Sequence, residues 1–175
     1  MGHSHPHIKS GIDTVDHFIP GLAVNKSTSG STAKLGVTYY FYTNSACGSS
    51  CQLNVGFISS TNAGSTWSGA TQLTGPFNVT WVANTSQGRM VGDYISTSYG
   101  SDGLAHGVFM TASTPTSGTT CGAVLDNCNE PADSPSTGLA IAGGSASSAG
   151  DQVVFHSHVN PNNPHLWAPD KNGIG

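Results

Sequence analysis

The sequence predicts an all-β protein built from antiparallel sheets, and three observations carry that prediction. Only 8% of the 175 residues are charged, against about 25% in an average globular chain. The 23 Gly and 9 Pro, with Ser and Thr at roughly a quarter of the chain against far lower ordinary usage, supply turn chemistry at short intervals. Apolar and aromatic residues fall into short runs between those turns, and nothing from residue 21 to 112 holds a helical period over a helix-length window. An apolar fraction of 36% with three Trp, five Tyr and six Phe is lean, yet too aromatic and too weakly charged for a disordered chain.

The elements follow in order. Residues 1–20 read as a flexible His-rich arm that carries His3, His5, His7 and His17 without apolar periodicity. Residues 21–112 form the β module. Leu35–Tyr42 is a strand rich in Tyr, Phe and Val, and residues 52–59 alternate Leu53, Val55 and Phe57 against Gln52, Asn54 and Gly56, as a half-buried strand does. Residues 77–82, 90–96 and 105–112 are further strand candidates between Gly, Asn and Ser clusters. Residues 113–150 read as a low-complexity loop region that buries little, and 151–175 as a final strand at 152–158 with a Pro/Asn-rich tail.

Charge and cysteine content exclude several classes. Five Lys plus Arg against nine Asp plus Glu leave a net charge of −4, so no basic field exists for nucleic acid or an anionic membrane. No apolar run reaches the roughly 18 residues of a membrane span. The four cysteines form two local pairs, Cys47 with Cys51 and Cys121 with Cys128. Three disulfide pairings exist for four cysteines, local pairing being geometrically easiest; free thiols and a four-Cys zinc site are the alternatives, the second spacing fitting zinc poorly. The composition predicts a secreted protein, although the opening Met-Gly-His-Ser-His-Pro-His has neither the basic start nor the apolar stretch of a leader. Paired cysteines would then place the chain within a longer secreted precursor. Glycosylation acceptor patterns at Asn25, Asn78 and Asn84 are short enough to arise by chance.

Directly after the 52–59 strand stands Ser60-Thr61-Asn62-Ala63-Gly64-Ser65-Thr66-Trp67. It matches Ser-x-Asp-x-Gly-x-x-Trp with Asn62 in the Asp place. Ser60 and Asn62 suit side-chain bonds to turn backbone, Gly64 suits a positive φ, and Trp67 suits an apolar plug. The octet resembles the Asp-box, or bacterial neuraminidase repeat, of sialidase-like β-propellers. Gln87–Ser96, with its Gly92-Asp93-Tyr94 core, and the 105–110 run are similar to the same family. The resemblance covers about residues 20–112 and implies a partial propeller of two to four blades, with a β-sandwich as the alternative closure. A four-stranded blade takes about 40 to 50 residues, so an incomplete ring leaves sheet edges open to self-association.

Sialidase activity in that family rests on three arginines, a Tyr–Glu pair and an Asp acid. This chain has one arginine, Arg89, and one glutamate, Glu130, so the clamp cannot be built. The candidate catalytic residues are Asp93 (where burial in an apolar strand would raise the pKa), Tyr94 and His106. Arg89, Tyr39 and Trp81 are candidate binding residues; exposed aromatics, Tyr42 and Tyr99 among them, would stack on sugar faces. His156 and His158 share one strand face and, with Asp151 or His165, suit a divalent metal such as zinc. Asp102, Asp126, Asn127, Asn129 and Asp133 offer oxygens for calcium. No cofactor is firmly implied.

The leading expectation is a secreted Asp-box module that binds carbohydrate or another small-molecule ligand, or a surface, without sialidase turnover. The alternative is a small glycosidase, esterase or lactonase assisted by a divalent metal. A third expectation is a fragment without activity of its own.

Overall fold

The computed structural model describes residues 16–44, 47–122 and 126–145. The architecture is all-β and antiparallel: nine strands, three short 3-10 turns and no α-helix among the described residues. Strands β1 (Asp16–Val24), β2 (Leu35–Tyr42), β3 (Gln52–Ser60) and β4 (Thr71–Asn78) form a four-stranded meander in chain order. A ribbon of β5 (Ala83–Thr85) and β6 (Gly88–Met90) follows, then a sheet of β7 (Ser96–Tyr99), β8 (Ala105–Met110) and β9 (Ala132–Asp133).

Strand β3 departs from the half-buried pattern of its sequence: every residue after Gln52 is buried. The central strands β2 and β3 are buried on both faces, whereas Leu22 and Val24 of the edge strand β1 stay exposed. One face carries Tyr40, Tyr42, Leu53 and Val55 and meets Phe77, Val82, Ile95 and Phe109; the other gathers Val37, Tyr39, Ile58 and Trp67. Asn54, buried on the second face, stays satisfied because its side-chain amide donates to the Phe41 carbonyl (3.5 Å) and the Gln52 carbonyl (3.2 Å), as a buried amide must. Gly56 stands opposite Tyr39 in the ladder. A Cβ there would lie 2.5 Å from the Tyr39 ring, so the missing side chain is what lets the tyrosine lie flat across β3.

The octet forms the β3–β4 corner. Ser60 Oγ accepts the N–H groups of Asn62 (3.2 Å) and Gly64 (2.9 Å), and Asn62 Oδ1 accepts the Thr66 N–H at 2.8 Å. Gly64 has φ +83°, and Trp67 is buried against Val37, Tyr39 and Ile58. The turn therefore closes with its polar groups paired to each other and its one large apolar group on the sheet.

Other boundaries move. The arm read over 1–20 ends earlier: β1 begins at Asp16, and buried His17 stacks on Phe41 with ring centroids 5.9 Å apart. The 77–82 strand becomes the end of β4 followed by a 3-10 turn, Val79–Trp81, because Asn78 Oδ1 accepts the Thr80 N–H at 2.9 Å and caps the turn. The 90–96 strand is interrupted between β6 and β7 by a turn at Gly92 (φ +96°), while Val91 and Ile95 plug the core. The 152–158 strand lies outside the described residues.

The described part of 113–145 is ordered by polar bonds in place of apolar burial. Asn127 Oδ1 accepts the Gly122 N–H at 3.0 Å, and its amide donates to the carbonyls of Ser117 and Thr120, both 2.9 Å. Two disulfides, Cys47–Cys51 and Cys121–Cys128, use all the cysteines, which corresponds to the local pairing and suits an oxidising, extracellular environment. Among the described residues no helix is long and apolar enough to cross a membrane.

Gly56→Ala is expected to destabilise the fold by about 1–3 kcal/mol, the usual range for overpacking. Gly69→Ala, where an added Cβ meets nothing within 4 Å, stays within about 0.5 kcal/mol of the parent. Urea denaturation of the two variants checks the pair.

Candidate functional site

Among the described residues, those singled out from sequence sit in different settings. Asp93 and Tyr94 sit in the exposed turn between β6 and β7, and Tyr94 is 89% exposed. Asp93 is exposed where the sequence predicted burial, because the Gly92 turn breaks the strand before it. His106 lies on β8 and meets Asp102, not Asp93, with Nε2 3.3 Å from the carboxylate. Asp102 is held below its ordinary value first by the Leu104 N–H it accepts and then by His106.

Arg89 is structural. Its Nη1 donates to the carbonyls of Val82 (2.6 Å), Cys121 (2.8 Å) and Thr80 (3.2 Å), stapling the second disulfide loop to the β4–β5 connection. Burial lowers its pKa, opposed by the charge of Glu130. Nη1 of this guanidinium is thereby committed to backbone carbonyls. Tyr39 is 2% exposed and Tyr42 6%, while Trp81 is half-buried against the larger core cluster. Tyr39 and Tyr42 are packing residues and not sugar platforms, because the strand that carries them is buried on both faces. Tyr99 is half-buried, and its hydroxyl, buried without a partner among the described residues, is pushed up to about 12 by burial.

The metal readings divide. His156, His158, Asp151 and His165 lie outside the described residues. Within the described residues no group of three or more His, Cys, Asp or Glu is placed to hold a metal ion. Asn127, offered for calcium, spends its amide on the 117–122 loop, and Asp102 and Asp133 are on different elements with separate partners.

A concave site does exist, and sequence reasoning missed it. An open cleft of about 450 Å³ lies between β4 and the segment that leaves β9. Leu73, Phe109 and Leu139 are its apolar lining residues, and Gln72, Thr74, Asp133, Ser134, Ser136 and Thr137 its polar ones. Both ends of its outer wall are pinned. Asp133 pairs with Phe109 across β8–β9 and accepts the Thr111 hydroxyl; Leu139 exchanges two backbone bonds with Ala105, of 3.0 and 2.7 Å. The wall's Ser-Pro-Ser-Thr composition resembled every other part of a low-complexity stretch, and Asp133 alone was noticed, as a calcium oxygen.

Glu130, three residues before Asp133, is half-buried. Its Oε2 accepts the Ala83 N–H at 3.0 Å, while Oε1 is buried with no partner among the described residues. Burial raises its pKa, and the Ala83 N–H and Arg89 oppose the rise. Comparison with protein-family models, with curated proteins and with solved structures found no match.

A carboxyl whose pKa is raised on folding binds more protons folded than unfolded, so its contribution falls as pH rises. Lowering the pH towards 4.5, the ordinary value for this group, is therefore expected to stabilise the parent relative to Glu130→Gln, and raising it towards neutrality to erode that advantage. Thermal melts of both proteins across this window check the sign; a Glu130→Gln difference that grows in the parent's favour with pH contradicts it.

Proposed function

We propose that this chain is a sialidase-like Asp-box module of an extracellular protein and that it binds carbohydrate, or a surface displaying it, without cleaving it. The observation that carries the reading is the cleft beside β4. A sugar ring presents hydroxyls at its rim and C–H groups on its faces, and a site for it needs convergent polar groups over an apolar floor. Gln72, Thr74, Asp133 and Thr137, with Leu73, Phe109 and Leu139, bring polar and apolar residues to one cleft.

Two further features support the family part of the reading. The octet's turn bonds and buried Trp67 fit the folding role of an Asp-box, and a four-stranded antiparallel meander such as β1–β4 is the unit of a propeller blade. The absence of an arginine clamp argues against sialic acid cleavage, since Arg89, the only arginine, is bound to backbone carbonyls.

The hydrolase alternative retains one observation, the Asp102–His106 contact of 3.3 Å, which orients an imidazole as a base-and-orienter pair does. Turnover of aryl glycosides, esters or lactones that disappears in His106→Ala would favour it over the binding reading.

The direct test is a glycan array followed by amide-shift mapping of the bound sugar. Shifts are expected at Gln72, Thr74 and 133–137, and Thr137→Val should weaken binding about two- to ten-fold, the value of one hydrogen bond. Failure of every glycan to bind contradicts the reading.

A further inference from the structure

We propose that the cleft selects an amino sugar, a polyhydroxylated ligand whose ammonium group pairs with Asp133. The inference rests on the carbohydrate reading of the cleft and adds its ligand class.

The argument is one of charge. Among the described residues, Asp133 is the single ionisable side chain lining the cleft. Two other acids have cationic neighbours: Asp102 lies 3.3 Å from His106, and Glu130 feels the charge of Arg89. Asp133 instead accepts the neutral Thr111 hydroxyl on Oδ2. A carboxylate offers lone pairs on two oxygens and can take several donors, so one hydroxyl leaves acceptor capacity on a residue that lines the cleft. Among the described residues, no Lys, Arg or His lines the site to compensate it.

A ligand ammonium brings three N–H donors and a positive charge to that position. Gln72, Thr74, Ser134, Ser136 and Thr137 remain for the sugar hydroxyls. A uronic or sialic acid, by contrast, would set a second carboxylate beside Asp133 with no cation in the lining, a like-charge contact that the site cannot relieve. The chain's net charge of −4 works in the same direction at longer range, favouring approach of cations over anions.

The experiment titrates four tetrasaccharides, of glucosamine, N-acetylglucosamine, glucose and galacturonic acid, against the full chain at mildly acidic pH and low salt. The glucosamine tetramer is expected to bind about two- to five-fold more tightly than the two uncharged ones, the range for an exposed ion pair, and the galacturonate tetramer most weakly. The preference should vanish in Asp133→Asn, which keeps an acceptor for Thr111, and shrink in about 1 M salt, where the screening length falls to about 3 Å. Uncharged tetramers that bind as well as glucosamine, or a preference that survives Asp133→Asn, overturn the inference and leave the carbohydrate reading standing. Binding of none of the four overturns both.

Discussion

Over the core that the two main sheets share, the Tyr40 hydroxyl ties one to the other by two hydrogen bonds. Tyr40, on β2, donates its O–H to the Met110 carbonyl and accepts the Met110 N–H, both at 2.8 Å. The need for it follows from the ladder. The β7–β8 pairing runs only as far as Ser96 opposite Val108, so on that side Met110 has outlived its strand neighbour. A buried backbone pair without partners costs about 1–3 kcal/mol per group, and the tyrosine supplies both partners from the facing sheet. Burial pushes the Tyr40 hydroxyl well above its ordinary pKa, with the Met110 N–H pulling the other way, so it stays protonated and bifunctional at any physiological pH. Thr97 repeats the device on β7, donating to the Gly21 carbonyl at 2.7 Å and sharing a 2.8 Å bond with Thr38.

The cleft inherits its shape from that coupling. Phe109, which lines it, precedes Met110, and Asp133, also in its lining, pairs with Phe109. Fixing Met110 against Tyr40 therefore sets how far β9 and the 134–139 wall stand from β4. The wall itself has almost no apolar anchorage. It is held by the Ala105–Leu139 bonds and, further on, by Ser59, whose hydroxyl exchanges two bonds with Ala142, of 3.1 and 2.9 Å. Polar pinning at both ends leaves the intervening Ser and Thr hydroxyls available to a ligand, where apolar packing would have consumed the surface.

The legible parts of the sequence were those governed by local rules. The strand at Leu35–Tyr42 and the Ser60–Trp67 corner depend on residue type at short spacing, and both stand where the sequence puts them. Local cysteine pairing was legible for the same reason. What escaped was decided at long range. The second buried face of β3 required knowing what lies over Asn54 and Ile58. Tyr39 reads identically whether it greets solvent or packs on Gly56, and Asp93 reads as a strand residue until Gly92 turns the chain outward. The candidate site escaped for a further reason: its hydroxyls belong to a stretch whose composition signals only the lack of a core.

Amide hydrogen exchange on Tyr40→Phe tests the coupling most directly. The substitution keeps the ring and removes only the oxygen that Met110 uses. Protection of the Met110 amide is expected to fall about ten- to hundred-fold, the equivalent of one buried partner lost, while the β2–β3 ladder stays protected. A Met110 amide that exchanges as slowly as in the parent would show that the sheets are held together by something other than this hydroxyl.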